Sequence, residues 1–234
     1  MPDTYYQREP AGAHRPRAVV SWSSGKDSAF ALGEVIRSEE LNVVGLLTTI
    51  TKDFGRVSIH GVREELLDRQ ATELRLPLRK VEIPYPCPNS LYEEAMGRAV
   101  RSMVDDGITR VVFGDLFLED VRAYREDRLA SSGILPVFPL WHRSTAELAR
   151  HMIESGLESR VVCLDPKKLP RRFAGRAFDE SLLADLPAGV DPCGENGEFH
   201  TFVTDGPGFA HPISVVAGPV VERDGFVFAD FQPD

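Results

Sequence analysis

The sequence predicts an α/β protein with a doubly wound, parallel five-stranded sheet and a small C-terminal α+β lobe. As far as residue 165, short apolar runs rich in Val, Ile and Leu alternate with segments of helical periodicity. This alternation is typical of parallel sheets that carry helices on both faces. After residue 165 proline and glycine become frequent and the alternation stops. We therefore predict a disordered lead at 1–16, a main domain at 17–165 and the lobe at 166–234.

Five runs have the apolar, β-branched character of buried strands bounded by turn-forming residues. They are RAVVSW at 17–22, NVVGLLTTI at 42–50, LRKVEIP at 78–84, ITRVVFGD at 108–115 and SRVVCLD at 159–165. Near the C-terminus, VVERDGFVFADF has the Asp-Gly pair that favours a β-hairpin. The sequence therefore predicts five parallel strands and a terminal hairpin.

The segments between these runs have the spacing of amphipathic helices. The helical stretches are 27–38, 62–74, 89–103, 119–131 and 144–156. We expect Asn89 or Ser90 to cap the third helix. In the fifth, Ser144 and Glu147 have the spacing of a capping box, and Gly156 provides a stop.

Composition excludes several classes of function. A net charge of -9 disfavours a broad grip on nucleic acid, which depends on lysine and arginine neutralising phosphates. The stretch DPKKLPRR at 165–172 is either a local basic patch or a solvated loop. No apolar run approaches the roughly 18 to 20 residues that span a bilayer. The three cysteines form no close pair, which fits a reducing cytoplasm.

The stretch SWSSGKDSA at 21–29 joins the first strand to the first helix. A tight turn of Ser and Gly before a helix N-terminus binds anions, because backbone N–H groups and the helix dipole favour negative charge. The common P-loop does not fit, since Val20 stands at its first glycine and Asp27 separates Lys26 from Ser28. The dinucleotide fingerprint is also absent from the sequence. The turn therefore predicts a phosphate loop of another kind.

A second unusual stretch, DPCGENGEFHTFV, occupies 191–203. Its Glu195, Glu198 and His200 have the spacing of metal ligands, of acid/base groups, or of a polar turn with a half-buried histidine. The neighbouring Cys193 is either a nucleophile or a buried thiol, and the second interpretation is favoured. The residues alone leave these alternatives open.

The two stretches together resemble a known family. SSGKDS at 23–28 is similar to the S-G-G-x-D-S loop of the ATP pyrophosphatases, the adenine nucleotide alpha hydrolase superfamily, with Ser24 in place of the usual first glycine. Combined with GENGEFHT, it resembles the paired motifs of the diphthine–ammonia ligase family. Segments 56–78, 113–129 and 138–141 also resemble the bacterial branch of that family. The resemblance covers roughly residues 17 to 230.

The resemblance implies a HUP/PP-loop fold and an ATP-binding ligase that forms AMP and pyrophosphate. ATP and Mg²⁺ would be the cofactors. The enzyme would adenylate an acceptor carboxylate, on a small molecule or a protein, for amidation by ammonia. In eukaryotic and archaeal members the acceptor is a modified histidine of elongation factor 2. Here Asn196 and His200 depart from the family pattern, which puts the acceptor in question.

The sequence also leaves two alternative functions. A tRNA-modifying enzyme of the same superfamily is disfavoured by the net charge and the lack of a paired-cysteine motif. A non-catalytic nucleotide-binding sensor is disfavoured by the early position of the loop. By family analogy we expect a homodimer, and we expect a cytoplasmic protein without membrane contact.

The resemblance also assigns site residues. The expected nucleotide-binding residues are Ser23, Ser24, Gly25, Lys26, Ser28, Leu47, Thr48, His60 and Gly114. The expected catalytic residues are Asp27, Asp115, Glu195, Glu198 and His200, and Asp27 is the expected Mg²⁺ ligand.

Several of these roles follow from position, because ligands of doubly wound sheets lie at the carboxyl ends of the strands. Leu47 and Thr48 would lie near the adenine, Gly114 and Asp115 near the ribose and α-phosphate, and His60 over the nucleotide. Simpler roles stay open: a surface position for Lys26 and His60, a helix cap for Asp27 and a turn for Asp115.

Overall fold

The computed structural model describes residues 15–234, so nearly all of the predicted lead at 1–16 lies outside the described residues. Residues 15–234 form two sheets and the helices that pack on them. The strands are β1 Arg17–Ser21, β2 Asn42–Thr51, β3 Arg56–Val57, β4 Leu78–Ile83, β5 Arg110–Val112, β6 Leu135–Val137, β7 Glu158–Leu164, β8 Phe199–Asp205, β9 Val215–Arg223 and β10 Phe226–Pro233.

The larger sheet confirms the doubly wound architecture. Its parallel strands run in the order β4-β2-β1-β5-β6, and the short β3 pairs antiparallel with the last residues of β2. Strand order therefore reverses between β1 and β5, which is where doubly wound sheets bind ligands. The predicted phosphate loop follows β1 directly and lies at this switch point.

Helices cover both faces of this sheet. They are α1 Lys26–Ser38, α2 Glu64–Glu73, α3 Asn89–Asp105, α4 Glu119–Leu129 and α5 Thr145–Glu154, whereas α6 Glu180–Asp185 belongs to the C-terminal lobe. Ser144 caps α5 as expected, since its hydroxyl accepts the Glu147 N–H at 3.4 Å. The expected cap of α3 is wrong: Asn89 is already helical, and Pro88 precedes it in an extended conformation.

Two hydrophobic clusters hold these layers together. One contains Leu32 of α1, Leu67 of α2 and Phe202 of β8, so the smaller sheet shares a core with the larger one. The other lies on the opposite face and contains Met103 of α3 beside Val111 of β5. Within residues 15–234, no helix is both long enough and apolar enough to cross a bilayer.

The expectation that 159–165 forms the fifth parallel strand is wrong. This segment is part of β7, which belongs to a four-stranded antiparallel sheet in the order β8-β7-β10-β9. The fifth parallel strand is β6, a three-residue edge strand containing Pro136. A proline in so short a run hides the strand signal, although edge strands tolerate proline. The division at residue 165 stays a prediction, but it would separate β7 from its own sheet.

The predicted terminal hairpin is confirmed. Strands β9 and β10 pair antiparallel around Asp224 and Gly225. Both turn residues have positive φ, 53° and 81°, as expected for the tight turn that an Asp-Gly pair favours.

Gly114 fixes the distance between β5 and α1. A Cβ atom there would lie 2.8–2.9 Å from the backbone of Asp27 and Ser28. We expect Gly114→Ala to lower the free energy of unfolding by about 1–3 kcal/mol through overpacking. Urea unfolding measures this. Gly97→Ala in α3 is the matched control, because its Cβ would meet only the flexible end of Arg101 at 3.5 Å. Equal stability of the two variants would contradict the packing role.

Candidate functional site

The predicted phosphate loop is closed by its own side chains. The Ser23 and Ser28 hydroxyls lie 3.1 Å apart, and the Ser28 hydroxyl donates to the Gly25 carbonyl at 2.9 Å. The Gly25 N–H donates to the Ser23 hydroxyl at 3.3 Å, and α1 begins at the next residue. The loop therefore has a defined shape before a ligand binds, with a helix N-terminus at its end.

Ser24 occupies the position of the usual first glycine and shows why glycine is usual. Its φ is 70°, a left-handed conformation that costs a residue with a Cβ about 1–2 kcal/mol. The residue is fully buried, and its hydroxyl has no hydrogen-bond partner within residues 15–234. Its carbonyl accepts the Val203 N–H at 2.9 Å, so β8 helps to hold the strained turn.

The two signature motifs meet at the N-terminus of α1. Gly25 precedes α1 but has no side chain to cap it. The Thr201 hydroxyl acts instead, accepting the Lys26 N–H at 3.0 Å. A side chain at Gly25 would press against the Thr201 carbonyl, 3.0 Å from the Cβ position, and against His60 at 3.3 Å. The GENGEFHT motif thus caps the phosphate loop through β8.

Lys26 is buried, with 1% of its surface exposed, which excludes the surface alternative. Its ammonium donates to both carboxylate oxygens of Asp27 at 2.9 Å and to the Cys193 carbonyl. It also lies 5.4 Å from the ring centroids of Phe178 and Phe199. Burial opposes its charge, but the charge of the adjacent Asp27 carboxylate and its hydrogen bonds to the ammonium raise the pKa of Lys26. The charged ammonium of Lys26 therefore lies buried between the phosphate loop and the C-terminal lobe.

Asp27 is not the cap of α1, since Gly25 holds that position. Its side chain keeps 29% of its surface exposed, and both of its oxygens face Lys26. Residues 15–234 contain no group of three or more His, Cys, Asp or Glu side chains that could hold a metal. Its role as a Mg²⁺ ligand stays a prediction.

At the end of β5, Asp115 is already paired. Its carboxylate faces the Arg125 guanidinium at 2.7 and 3.0 Å, and that guanidinium stacks 4.4 Å from the Phe113 ring centroid. The preceding Gly114 is needed because the backbone of α1 approaches it. The roles proposed for Gly114 and Asp115 toward ATP stay predictions.

Glu195 reaches from the lobe to the loop that follows β5. Its carboxylate accepts the Leu116 N–H at 2.8 Å. Burial raises the pKa of Glu195 to about 7, with the charges of Asp27 and Asp115 adding to the effect. A carboxyl group that titrates near neutral pH can take up and release protons, as general bases and acids do.

Glu198 is almost fully buried, with 3% of its surface exposed. One carboxylate oxygen accepts the Asp191 N–H at 3.1 Å and the Asn196 amide at 3.3 Å. The other oxygen has no partner among the described residues. Asn196, a departure from the family pattern, therefore supports a buried carboxylate.

His60 and His200 lie against each other, with ring centroids 4.4 Å apart. Burial lowers the pKa of His60 well below its usual value, and the proximity of His200 adds to this. Burial lowers the pKa of His200 to about 4, with Lys26 contributing. The His200 ring is therefore neutral at pH 7. The His60 Nδ1 is buried and has no partner within residues 15–234.

Leu47 and Thr48 lie in the second half of β2, and they differ in what they offer a ligand. The Leu47 carbonyl already accepts the Trp22 N–H at 2.7 Å. Thr48 is 4% exposed, and its hydroxyl has no partner among the described residues. Contact of either residue with the adenine stays a prediction.

Cys193 is buried, and its thiol donates to the Thr145 carbonyl at 3.3 Å. Burial raises the pKa of Cys193, which removes the thiolate that a nucleophile requires. Of the stretch DPKKLPRR, Lys168 donates to the Asn196 carbonyl at 2.6 Å and Arg171 to the Val220 carbonyl at 2.6 Å. These bonds are made within the lobe.

The comparisons with known proteins agree with this geometry. A profile described as the diphthamide synthase C-terminal domain matches residues 144–227. The chain is 31% identical to the human diphthine–ammonia ligase over 91% of its own length and 88% of that protein. It is 31% identical to the zebrafish protein of that name, covering 91% of each, and 30% identical to the rat one, covering 91% and 88%.

The fold and its loop at the switch point define a nucleotide-binding α/β protein of the PP-loop class. Within that class, the chain belongs to the diphthine–ammonia ligase family. It is therefore an enzyme of the ATP-dependent ligase type.

Replacing the buried cation tests the junction of loop and lobe. We expect Lys26→Met to lower the free energy of unfolding by about 2–4 kcal/mol, somewhat less than for a fully buried pair because Asp27 is partly exposed. Thermal or urea unfolding measures the loss. Lys80→Met is the control, because Lys80 pairs with Glu64 and Asp68 at the surface. A Lys26 variant no less stable than the control would show that the cation does not hold the lobe.

Proposed function

We propose that the enzyme binds ATP in the loop after β1, transfers AMP to an acceptor carboxylate with release of pyrophosphate, and lets ammonia displace AMP to form an amide. The relatives' name indicates a diphthine-type acceptor. The observation that carries the proposal is the joining of both motifs in one site, where Thr201 caps α1 and Glu195 binds the loop after β5.

The loop offers what the β and γ phosphates of ATP require. It provides the N-terminus of α1, and the Ser23 and Ser28 hydroxyls and the Gly25 N–H would exchange their bonds within the loop for bonds to phosphate oxygens. The unpartnered hydroxyls of Ser24 and Thr48 are further donors in the same region of the fold. Mg²⁺ would bind chiefly through the phosphates, as it usually does, with Asp27 as the nearest carboxylate of the loop, and it would neutralise their charge.

Glu195 is suited to the ammonia step. Ammonia is protonated at neutral pH, and it must lose a proton before its nitrogen attacks the acyl carbon. The Glu195 carboxylate would take that first proton. The nitrogen then attacks the acyl carbon and loses a second proton, to solvent, as the acyl–oxygen bond breaks and AMP leaves. Its pKa of about 7 allows both protonation states under these conditions.

Family membership favours this ligase over the tRNA-modifying enzyme and the non-catalytic sensor. An acceptor on a small molecule or on a protein fits the same chemistry. The homodimer and the cytoplasmic location stay predictions, and the net charge of -9 still disfavours nucleic acid as a partner.

The reaction type is tested by product analysis with α-labelled ATP, Mg²⁺, ammonium and a cell extract that provides acceptors. We expect AMP and pyrophosphate, and a loss of about 100-fold in rate for Asp27→Asn, since misplacing the loop misaligns the phosphates. Asp127→Asn, on an aspartate that is 77% exposed, is the matched control. ADP as the product, or equal rates of AMP formation by Asp27→Asn and Asp127→Asn, would contradict the proposal.

The role of Glu195 is tested by pH. If its carboxylate is the base, the rate at saturating ammonium rises with pH through about 7. In Glu195→Gln this rise with pH should disappear, and the rate should fall by about 10²–10⁴-fold. Glu65→Gln, on an exposed carboxylate, is the control. An unchanged pH profile in Glu195→Gln would exclude the role.

Stability provides an independent check on Glu195. Its folded pKa is raised, so between its unfolded value and about 7 the native state binds more protons than the unfolded chain. The free energy of unfolding of the wild type therefore falls as pH rises through this window, whereas that of Glu195→Gln does not.

A further inference from the structure

Gln70 lies outside the two motifs but contacts both. It belongs to α2, and no part of it is exposed to solvent. Its amide nitrogen donates to the Ser24 carbonyl at 3.0 Å and to the Val203 carbonyl at 2.7 Å. Its amide oxygen accepts the Trp22 indole N–H at 2.9 Å. A single side chain thus joins the end of β1, the loop and β8.

Chemistry fixes the orientation of this amide. An indole N–H can only donate, and backbone carbonyls can only accept. The oxygen of Gln70 must therefore face Trp22, and its nitrogen must face Ser24 and Val203. The reversed amide would set an oxygen against two carbonyls and a nitrogen against an N–H group. Both hydrogens of the nitrogen are used.

The bond to Ser24 determines where a loop donor points. In a trans peptide the C=O and the following N–H point in opposite directions. Gln70 and the Val203 N–H both bind the Ser24 carbonyl, so they hold the Ser24–Gly25 peptide from one side. The Gly25 N–H is then directed away from Gln70, toward the Ser23 hydroxyl of the loop. The left-handed conformation of Ser24 needs such support.

We infer that Gln70 is a positioning residue for the nucleotide: it holds the Ser24–Gly25 peptide so that the Gly25 N–H faces the phosphates. It acts through the loop and need not touch the substrate. The inference rests on the nucleotide-binding part of the proposed function and is independent of the acceptor and of the ammonia step.

The first test uses Gln70→Met, which keeps the size of the side chain but removes its donor and acceptor. Without nucleotide, hydrogen exchange of peptides covering 21–28 should become faster. The dissociation constant for ATP should rise about tenfold, the effect of losing one good hydrogen bond. Met103→Ala, in the core on the opposite face, is the control for lost stability alone. Variants are compared at temperatures equally far below their unfolding midpoints.

The second test uses Gln70→Glu, which covers the case in which Gln70→Met does not fold. A carboxylate would repel the carbonyls of Ser24 and Val203, whereas the protonated acid can donate to one of them. ATP binding by this variant should therefore recover as pH falls from 8 to 6. Wild type, titrated in parallel, corrects for the protonation of ATP itself.

The outcomes separate the two proposals. Faster loop exchange with weaker ATP binding in Gln70→Met, but not in Met103→Ala, supports the positioning role. Unchanged exchange and affinity in Gln70→Met, or equal changes in both variants, would overturn it. So would Gln70→Glu binding that follows wild type at every pH. Absence of AMP formation by wild type would refute the proposed reaction and leave the exchange result standing.

Discussion

The structure depends on the contact between β8 and the N-terminus of α1. Helix α1 starts at a glycine that cannot cap it, so the Thr201 hydroxyl accepts a helix N–H from across the molecule. The same strand binds the Ser24 carbonyl through the Val203 N–H. The phosphate loop is therefore completed by residues about 175 positions further along the chain. This explains why the two motifs occur together in one sequence.

The buried charge of Lys26 organises the electrostatics of this junction. Its ammonium pairs with Asp27 and binds the carbonyl of Cys193, while Glu195 lies close enough to affect its pKa. Asp27 has the direct ion pair, whereas Glu195 has one backbone N–H and a pKa of about 7. Two carboxyl groups in one site thus have different environments, an arrangement that commonly separates acid/base roles.

What the sequence could predict was local. The loop, the Ser144 cap of α5 and the Asp-Gly hairpin are all encoded by residues close together in the chain, and the structure has them. The partner of β7 is not local: an apolar β-rich run fits a parallel or an antiparallel sheet equally well. The burial of Lys26 was missed for the same reason, since Cys193 lies 167 positions away. The buried, bridging position of Gln70 could not be predicted from the residues around it, because a single polar residue in a helical pattern looks the same as one on the solvent-exposed face.

The departure at Ser24 shows how such distant contacts bear on function. A serine with φ of 70° is strained, and strain of this kind persists only where the surroundings over-determine the conformation. Here the carbonyl of Ser24 receives two donors, from β8 and from α2. The loop is therefore ordered when the chain folds, and its ordering does not weaken the binding of a nucleotide. The lobe that contains Glu195 also supplies one of these two donors. Under the proposed function, correct docking of the lobe would therefore be required for both nucleotide binding and catalysis.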